Sequence, residues 1–359
     1  MDRILSHRAE AERIAFCHSR TLTFSAAHQF LWVAPAGRPE MRVSALWSER
    51  PMTSRRMRMT VDVLIIGGGP AGLSAAQVLG RCHRRVLICD EGKQRNLRSQ
   101  AIHGLLGHEG TSPLNFLARA HSELARYPTL QLRRTRVIDV VPTEGGFAFQ
   151  CEDRRQGMAS KLLIASGIVD ELPAVAGVEA LYGISVHHCL YCDGFEYRGK
   201  AVAAYGKGDK GAELGIVMQH WVSDVVVCSD GTEISRELQG RLEKRGIGMR
   251  MGTIARLRGE RGQLSQIEFA SGPPLLRDGL FFATGCKQAS DLSNRLGCKR
   301  DEKGGVFSRA GTEESSVPGV YIAGDASRDV LMVSVAIAEG AKAAVTINKA
   351  LLARDGFWD

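Results

Sequence analysis

A short apolar run, Val61–Ile66, leads directly into Gly67-Gly68-Gly69-Pro70-Ala71-Gly72, and no other feature constrains the fold so tightly. A run of this kind is the pattern of a strand buried on both faces of a parallel sheet. A helical stretch from Ala71 to Leu79 follows, then a second apolar run, Val86–Cys89, which ends at Asp90. This is the strand–loop–helix–strand–acid order of a dinucleotide site. Gly67 permits the tight turn, Gly69 lets the backbone approach a pyrophosphate, and Gly72 allows helix and strand to pack closely. Asp90 is placed to hold ribose hydroxyls. The bland alternative, a turn with no ligand, loses weight because the whole context is present.

The pattern recurs. Ala201–Tyr205 runs into Gly206-Lys207-Gly208-Asp209-Lys210-Gly211, a helical stretch over 212–221 follows, and Val225–Val227 leads to Cys228-Ser229-Asp230. Lys207, Asp209 and Lys210 load this loop with charge, so a repurposed site stands beside a second nucleotide site. A third strand signal, Gly319–Ala323, ends in Gly324-Asp325 before a helical stretch over 333–352. The chain is expected to return there to complete its first domain.

Between the two glycine loops lies His187-His188-Cys189-Leu190-Tyr191-Cys192-Asp193-Gly194. No second Cys pair or His pair stands at zinc spacing, so no metal site is expected. Two thiols three residues apart can close a small disulfide, and a helix start beside them lowers a thiol pKa. Asp193 is a candidate to return a proton to a leaving thiolate, with His188 and His187 as further acid–base candidates. The other seven cysteines read as small buried hydrophobes or as part of the leading segment.

Composition supplies exclusions. A chain of 359 residues with 44% hydrophobic content has room for about two domains, and no stretch of eighteen apolar residues points to a membrane span. The net charge of +8 is uneven: residues 1–60 hold ten Arg and five acids, leaving only +3 for the remainder, so nucleic-acid binding is not expected. Scattered single cysteines fit a reducing, cytoplasmic setting. Residues 1–59 read as an extension without periodicity, disordered or not native; His28 and Gln29 break a signal-peptide pattern and four Glu oppose a transit peptide.

Together, Gly67–Gly72, Cys189–Cys192 with Asp193-Gly194-Phe195, Tyr197–Lys200, Gly206–Glu213, Ala283-Thr284-Gly285 and Gly319–Asp325 resemble the low-molecular-weight thioredoxin reductase family. The resemblance covers 61–355. It implies an α/β fold of two Rossmann-like, three-layer ββα dinucleotide-binding domains, the second inserted into the first: 60–170 with 286–359 for FAD, and 171–285 for a pyridine nucleotide and the cysteine pair. It assigns Gly67, Gly69, Pro70, Ala71, Gly72, Asp90, Glu91, Asn96, Gly324 and Asp325 to FAD, and Gly206, Gly208 and Gly211 to the second nucleotide. It makes Cys192 the thiol nearest the flavin, Cys189 the one that exchanges with substrate, and Asp193 the acid–base residue. Ala165-Ser166-Gly167 and Ala283-Thr284-Gly285 resemble the interdomain connections. A homodimer and a thioredoxin-like protein or a small dithiol or disulfide are the implied partners.

Two departures bear on the electron donor. Where NADPH-dependent members carry an arginine cluster, this chain reads Cys228-Ser229-Asp230-Gly231-Thr232-Glu233, with no cation before Arg236. A 2′-phosphate needs such cations, so NADPH binding is in doubt. Asp90–Asn96, Cys189-Leu190-Tyr191-Cys192 and Glu339-Gly340 resemble a branch of dithiol oxidases that pass electrons to oxygen, whereas Asp193 matches the reductases. Three functions therefore stay open: a disulfide reductase, an oxygen-dependent dithiol oxidase, and a flavin-binding redox sensor without turnover. A last feature, the aromatic tail Phe357-Trp358, reads as surface packing ahead of flavin stacking.

Overall fold

The structure, a computed structural model, describes residues 59–357. The expectation for 1–58 and that for Trp358 therefore lie outside the described residues. The first glycine loop joins β1 (Met59–Ile66) to α1 (Pro70–Arg81), and β2 (Val86–Asp90) follows. Val63, Leu64 and Ile65 have no solvent exposure, as a strand covered on both faces requires. Next come α2 (Pro113–Leu124), β3 (Leu130–Arg134) and a run of β4 (Val137–Thr143), β5 (Gly146–Cys151) and β6 (Gln156–Ile164). The sheet order is β3-β2-β1-β6-β5-β4, with parallel pairing from β3 to β6 and antiparallel pairing from β6 to β4.

The chain then leaves through β7 (Ile168–Asp170), and α3 (Val178–Leu181) leads to β8 (Val186–His187) and α4 (Leu190–Asp193). A second parallel sheet forms from β8, β9 (Ala201–Tyr205), β10 (Asp224–Cys228), β11 (Gly248–Arg250) and, later in the chain, β15 (Gly279–Phe282), with α5 (Asp209–Met218) and α6 (Arg236–Lys244) in the crossovers. A small antiparallel sheet, β12 (Ile254–Glu260), β13 (Gln263–Phe269) and β14 (Leu275–Leu276), lies between β11 and β15 in sequence. The chain returns through β16 (Cys286–Gln288), which pairs antiparallel with β7. After α7 (Leu292–Arg295), β17 (Val320–Ile322) adds to the first sheet beside β6, and α8 (Val333–Arg354) closes the chain.

The second Rossmann-like sheet is thus built wholly from residues inserted between strands of the first. The cores follow the same division. Two clusters of buried side chains draw on residues before 166 and after 291, and two others only on residues 172–282. At this juncture α8 crosses α1 closely: a Cβ on Gly340 would stand 2.1 Å from the Ala71 carbonyl oxygen, and one on Gly324 would stand 2.9 Å from the Ala71 methyl.

Candidate active site

One cavity of about 470 Å³ runs from the end of β2 to the cysteine pair. Gly67, Gly69, Pro70, Ala71, Asp90, Glu91, Asn96, Gly324 and Asp325 line it, and so do His188, Cys192 and Asp193. Twelve side chains and loop positions singled out from the sequence, drawn from both sheets, therefore face one space. Gly72 lies behind it, where a Cβ would meet the Gly67 carbonyl oxygen at 1.9 Å. Gly67 itself has φ of +108°, a conformation that costs glycine little.

The walls suit a flavin dinucleotide. The α1 N-terminus has no side-chain cap, which leaves amides of its first turn available to a phosphate. Asp90 accepts from the Gly68 amide at 3.0 Å and from Gln94 Nε2 at 2.7 Å, which fixes its carboxylate at the cavity wall. Thr135 Oγ1 and Ser166 Oγ are buried without a hydrogen-bond partner, and both residues line the cavity. Buried orphan hydroxyls are rare in a finished fold; a polar ligand in this space would satisfy them.

At the other end, Cys189 and Cys192 form a disulfide. Cys192 lines the cavity and Cys189 does not. Cys189 caps the short helix α4, its sulfur accepting from the Cys192 amide at 3.1 Å. The same contact stabilises a Cys189 thiolate once the bond is open. Asp193 Oδ2 lies 3.3 Å from His187 Nδ1, whose Nε2 meets the Tyr197 hydroxyl at 3.1 Å. The adjacent His188 turns to Tyr182, Nδ1 to hydroxyl 3.3 Å, and to Asp170, 3.6 Å. Burial, followed by the Arg95 charge, brings the His188 pKa down to about 4, so its ring is neutral near pH 7 and able to accept a proton.

Arg95 organises this end. Its guanidinium grips Asp170 at 2.8 and 2.6 Å and reaches Asp325 at 3.0 Å. Burial pushes the Asp170 carboxyl up, but Arg95, His188 and the Tyr182 hydroxyl (2.7 Å) outweigh it and hold it below the usual carboxylate range. Burial wins at Asp325, whose pKa is raised despite Arg95. A hydrogen-bonded chain Asp325–Arg95–Asp170–Tyr182–His188 thus connects the return strand to the cysteine pair. Arg95, Asp170 and Tyr182 were missed in the sequence. The nearest signal was Arg95, which stands inside the Asp90–Asn96 segment.

The second glycine loop faces a different space. Gly206, Gly208 and Gly211 are absent from the wall of the large cavity, and the loop folds on itself, with the Gly206 oxygen 2.5 Å from where a Gly211 Cβ would stand. The Gly208 amide donates to Thr232 Oγ1 at 2.7 Å, and that hydroxyl donates to the Ser229 carbonyl at 2.5 Å. Asp230, at φ of +50°, accepts from the Ile254 amide and from the Tyr205 hydroxyl, both at 2.9 Å. Its two oxygens already hold the end of β9 to the start of β12.

Two nucleotide-type folds, the second carrying a disulfide whose Cys192 opens on the cavity of the first, define a disulfide oxidoreductase. The chain belongs to the pyridine nucleotide-disulphide oxidoreductase family, whose pattern matches residues 61–340. The thioredoxin reductase tcpT of Claviceps purpurea (strain 20.1) is 31% identical over 309 residues, covering 82% of this chain and 95% of that protein. Among solved structures, HlmI superposes with a TM-score of 0.79 at 28% identity, over 84% of this chain and 96% of its own. An oxidoreductase from Agrobacterium tumefaciens gives 0.75 at 28% identity, over 82% and 99%. This is a thioredoxin-reductase-like, flavin-dependent disulfide oxidoreductase. Among the described residues no helix is long and apolar enough to cross a membrane.

Proposed function

We propose that the protein is an FAD-dependent dithiol–disulfide oxidoreductase in which Cys189 exchanges with an external thiol or disulfide and Cys192 faces the cofactor. The observation that carries this reading is the single cavity lined by both the first glycine loop and Cys192. Residues 60–170 with 286–359 would hold FAD, and 171–285 would present the cysteine pair. Gly67–Ala71 would cradle the pyrophosphate, Asp90 the ribose, and Gly324-Asp325 the chain leading to the ring. Bound there, FAD supplies two-electron exchange with the dithiol.

The protein's own steps are thiol–disulfide exchange. In the oxidising direction a substrate thiolate attacks Cys189 Sγ and the Cys192 thiolate leaves. The second substrate thiolate then displaces Cys189, giving the substrate disulfide and the Cys189/Cys192 dithiol. The two substrate thiols give up two protons and the two cysteine sulfurs take up two, the departing Cys192 sulfur receiving its proton through Asp193 while His188 stays neutral beside Cys189. Run backwards, the same steps reduce an external disulfide. A thioredoxin-like protein and a small dithiol both fit this chemistry.

A second reading concerns the electron partner. The Gly208 amide and both Asp230 oxygens are engaged within the protein, and no cation stands between Cys228 and Arg236. That supports a dithiol oxidase using oxygen over an NADPH-driven reductase. The test is anaerobic mixing of the flavin-loaded enzyme with NADPH, NADH or dithiothreitol while following the flavin band. Bleaching by the dithiol alone, with recovery in air, is expected. Rapid bleaching by either nucleotide would overturn the oxidase reading and leave the reductase. A Cys192→Ser variant should keep FAD and lose bleaching by dithiol; unchanged bleaching would overturn the parent proposal.

A further inference from the structure

Where β2 reaches the cavity, apart from the active disulfide, two other cysteines meet. Cys89 is the last residue but one of β2 and Cys151 ends β5, their sulfurs stand 3.8 Å apart, and each residue is only 2% exposed. Among the described residues no other two free cysteines touch. The pair sits at a sensitive place. The Cys89 carbonyl accepts from the Gly67 amide at 2.8 Å, Cys89 itself lines the cavity, and the next residue is Asp90.

We propose that Cys89 and Cys151 are a second dithiol, an oxidative modification site that hydrogen peroxide closes to a disulfide. Closing the bond requires the sulfurs to move from 3.8 Å to about 2 Å apart. Cys151 stands at the end of its strand, paired with Val137 of β4. It begins the tight turn to β6, with the Arg154 amide on the Cys151 carbonyl and Arg154 at φ of +66°. Cys89 is held between β1 and β3. The shared hydrogen bond also divides the roles. Through this contact and its burial the Cys89 thiol is pushed up, whereas the contact shifts Cys151 toward the thiolate.

The Cys151 thiolate attacks one peroxide oxygen and hydroxide leaves, giving a sulfenic acid. The Cys89 thiol then displaces that oxygen as water. In total, two thiols and one hydrogen peroxide give one disulfide and two waters. Neither the flavin nor Cys189–Cys192 takes part, so this site stands apart from the proposed turnover.

The test is to expose the flavin-loaded, full-length enzyme to hydrogen peroxide, alkylate all remaining thiols under denaturing conditions, digest, and read the peptides by mass spectrometry. The expected product is a Cys89–Cys151 linked peptide, lighter by two hydrogens, with loss of alkylation at both positions. In Cys151→Ala the link should vanish while alkylation at Cys89 returns or gives way to sulfinic acid. Recovery of both cysteines fully alkylated, or singly over-oxidised without a link, at peroxide levels that oxidise the more accessible Cys82 and Cys286, would overturn the proposal. Fragment ions from the unsubstituted enzyme identify the link on their own, so a Cys151→Ala variant that folds poorly does not remove the test.

Discussion

At the scale of single residues, two buried ionisable groups pull the pH dependence of stability in opposite directions. His188 has a pKa near 4 in the fold and about 6.5 when unfolded. Between those values the unfolded chain binds the extra proton, so this residue removes stability as pH falls, by up to about 1.4 kcal/mol per pH unit. Glu339 is the reverse case. Burial, only partly offset by the Gly324 amide at 2.6 Å, lifts it to about 7, so its contribution is full below about pH 4.5 and is lost as pH rises toward 7. The two effects overlap and mask each other. A Glu339→Gln variant should therefore show urea midpoints that rise more steeply from pH 4.5 to 6.5 than those of the unaltered enzyme. A His188→Gln variant should show the opposite slope. Asp170 offers a sharper local test. Replacing it with Asn leaves Arg95 buried against Asp325 alone, and the loss of one partner in such a network costs about 3 kcal/mol, readable as a lower unfolding midpoint.

At the scale of elements, the crossing of α1 and α8 sets how closely the return strand approaches the cofactor loop. Gly340→Ala would drive a methyl group against the Ala71 carbonyl, and forcing apart a packed contact of this kind costs about 1–3 kcal/mol. Because Ala71 lines the cavity, the variant should also retain less FAD on gel filtration; full retention with unchanged stability would contradict the packing argument. The elements legible in the sequence were those whose burial is complete. β9 spans Ala201–Tyr205 as expected, β1 and β2 extend their expected runs by a residue or two, and α8 begins at the expected Val333. The runs β4 and β12 were not marked because most of their positions are not fully buried, with charges among them; β6, although buried at Leu162–Ile164, was not marked either. The site divides on similar lines. Residues within one loop carry a local pattern. The Arg95–Asp170 pair, 75 residues apart, has none, since only the folded sheets bring its members together.

At the scale of the whole molecule, the separation of the cores argues that the inserted sheet and the first unit are each packed on a core of their own. The insertion touches the first unit through polar contacts, such as Arg98 on the Glu179 carbonyl at 2.8 Å and His103 near Glu196 at 3.6 Å. Replacing residues 171–285 with a short linker should leave a folded remainder, detectable by a cooperative thermal transition, that has lost every dithiol-dependent reaction. An unfolded product would show that those polar contacts, and not the separate cores, hold the first unit together. The feature that makes the replacement feasible is the pairing of β7 with β16, which sets Cys286 opposite Asp170. Entry and exit of the insertion are side by side, like the two leads of one plug. A lineage or a designer could therefore exchange the thiol-bearing cassette for another without rerouting the rest of the chain.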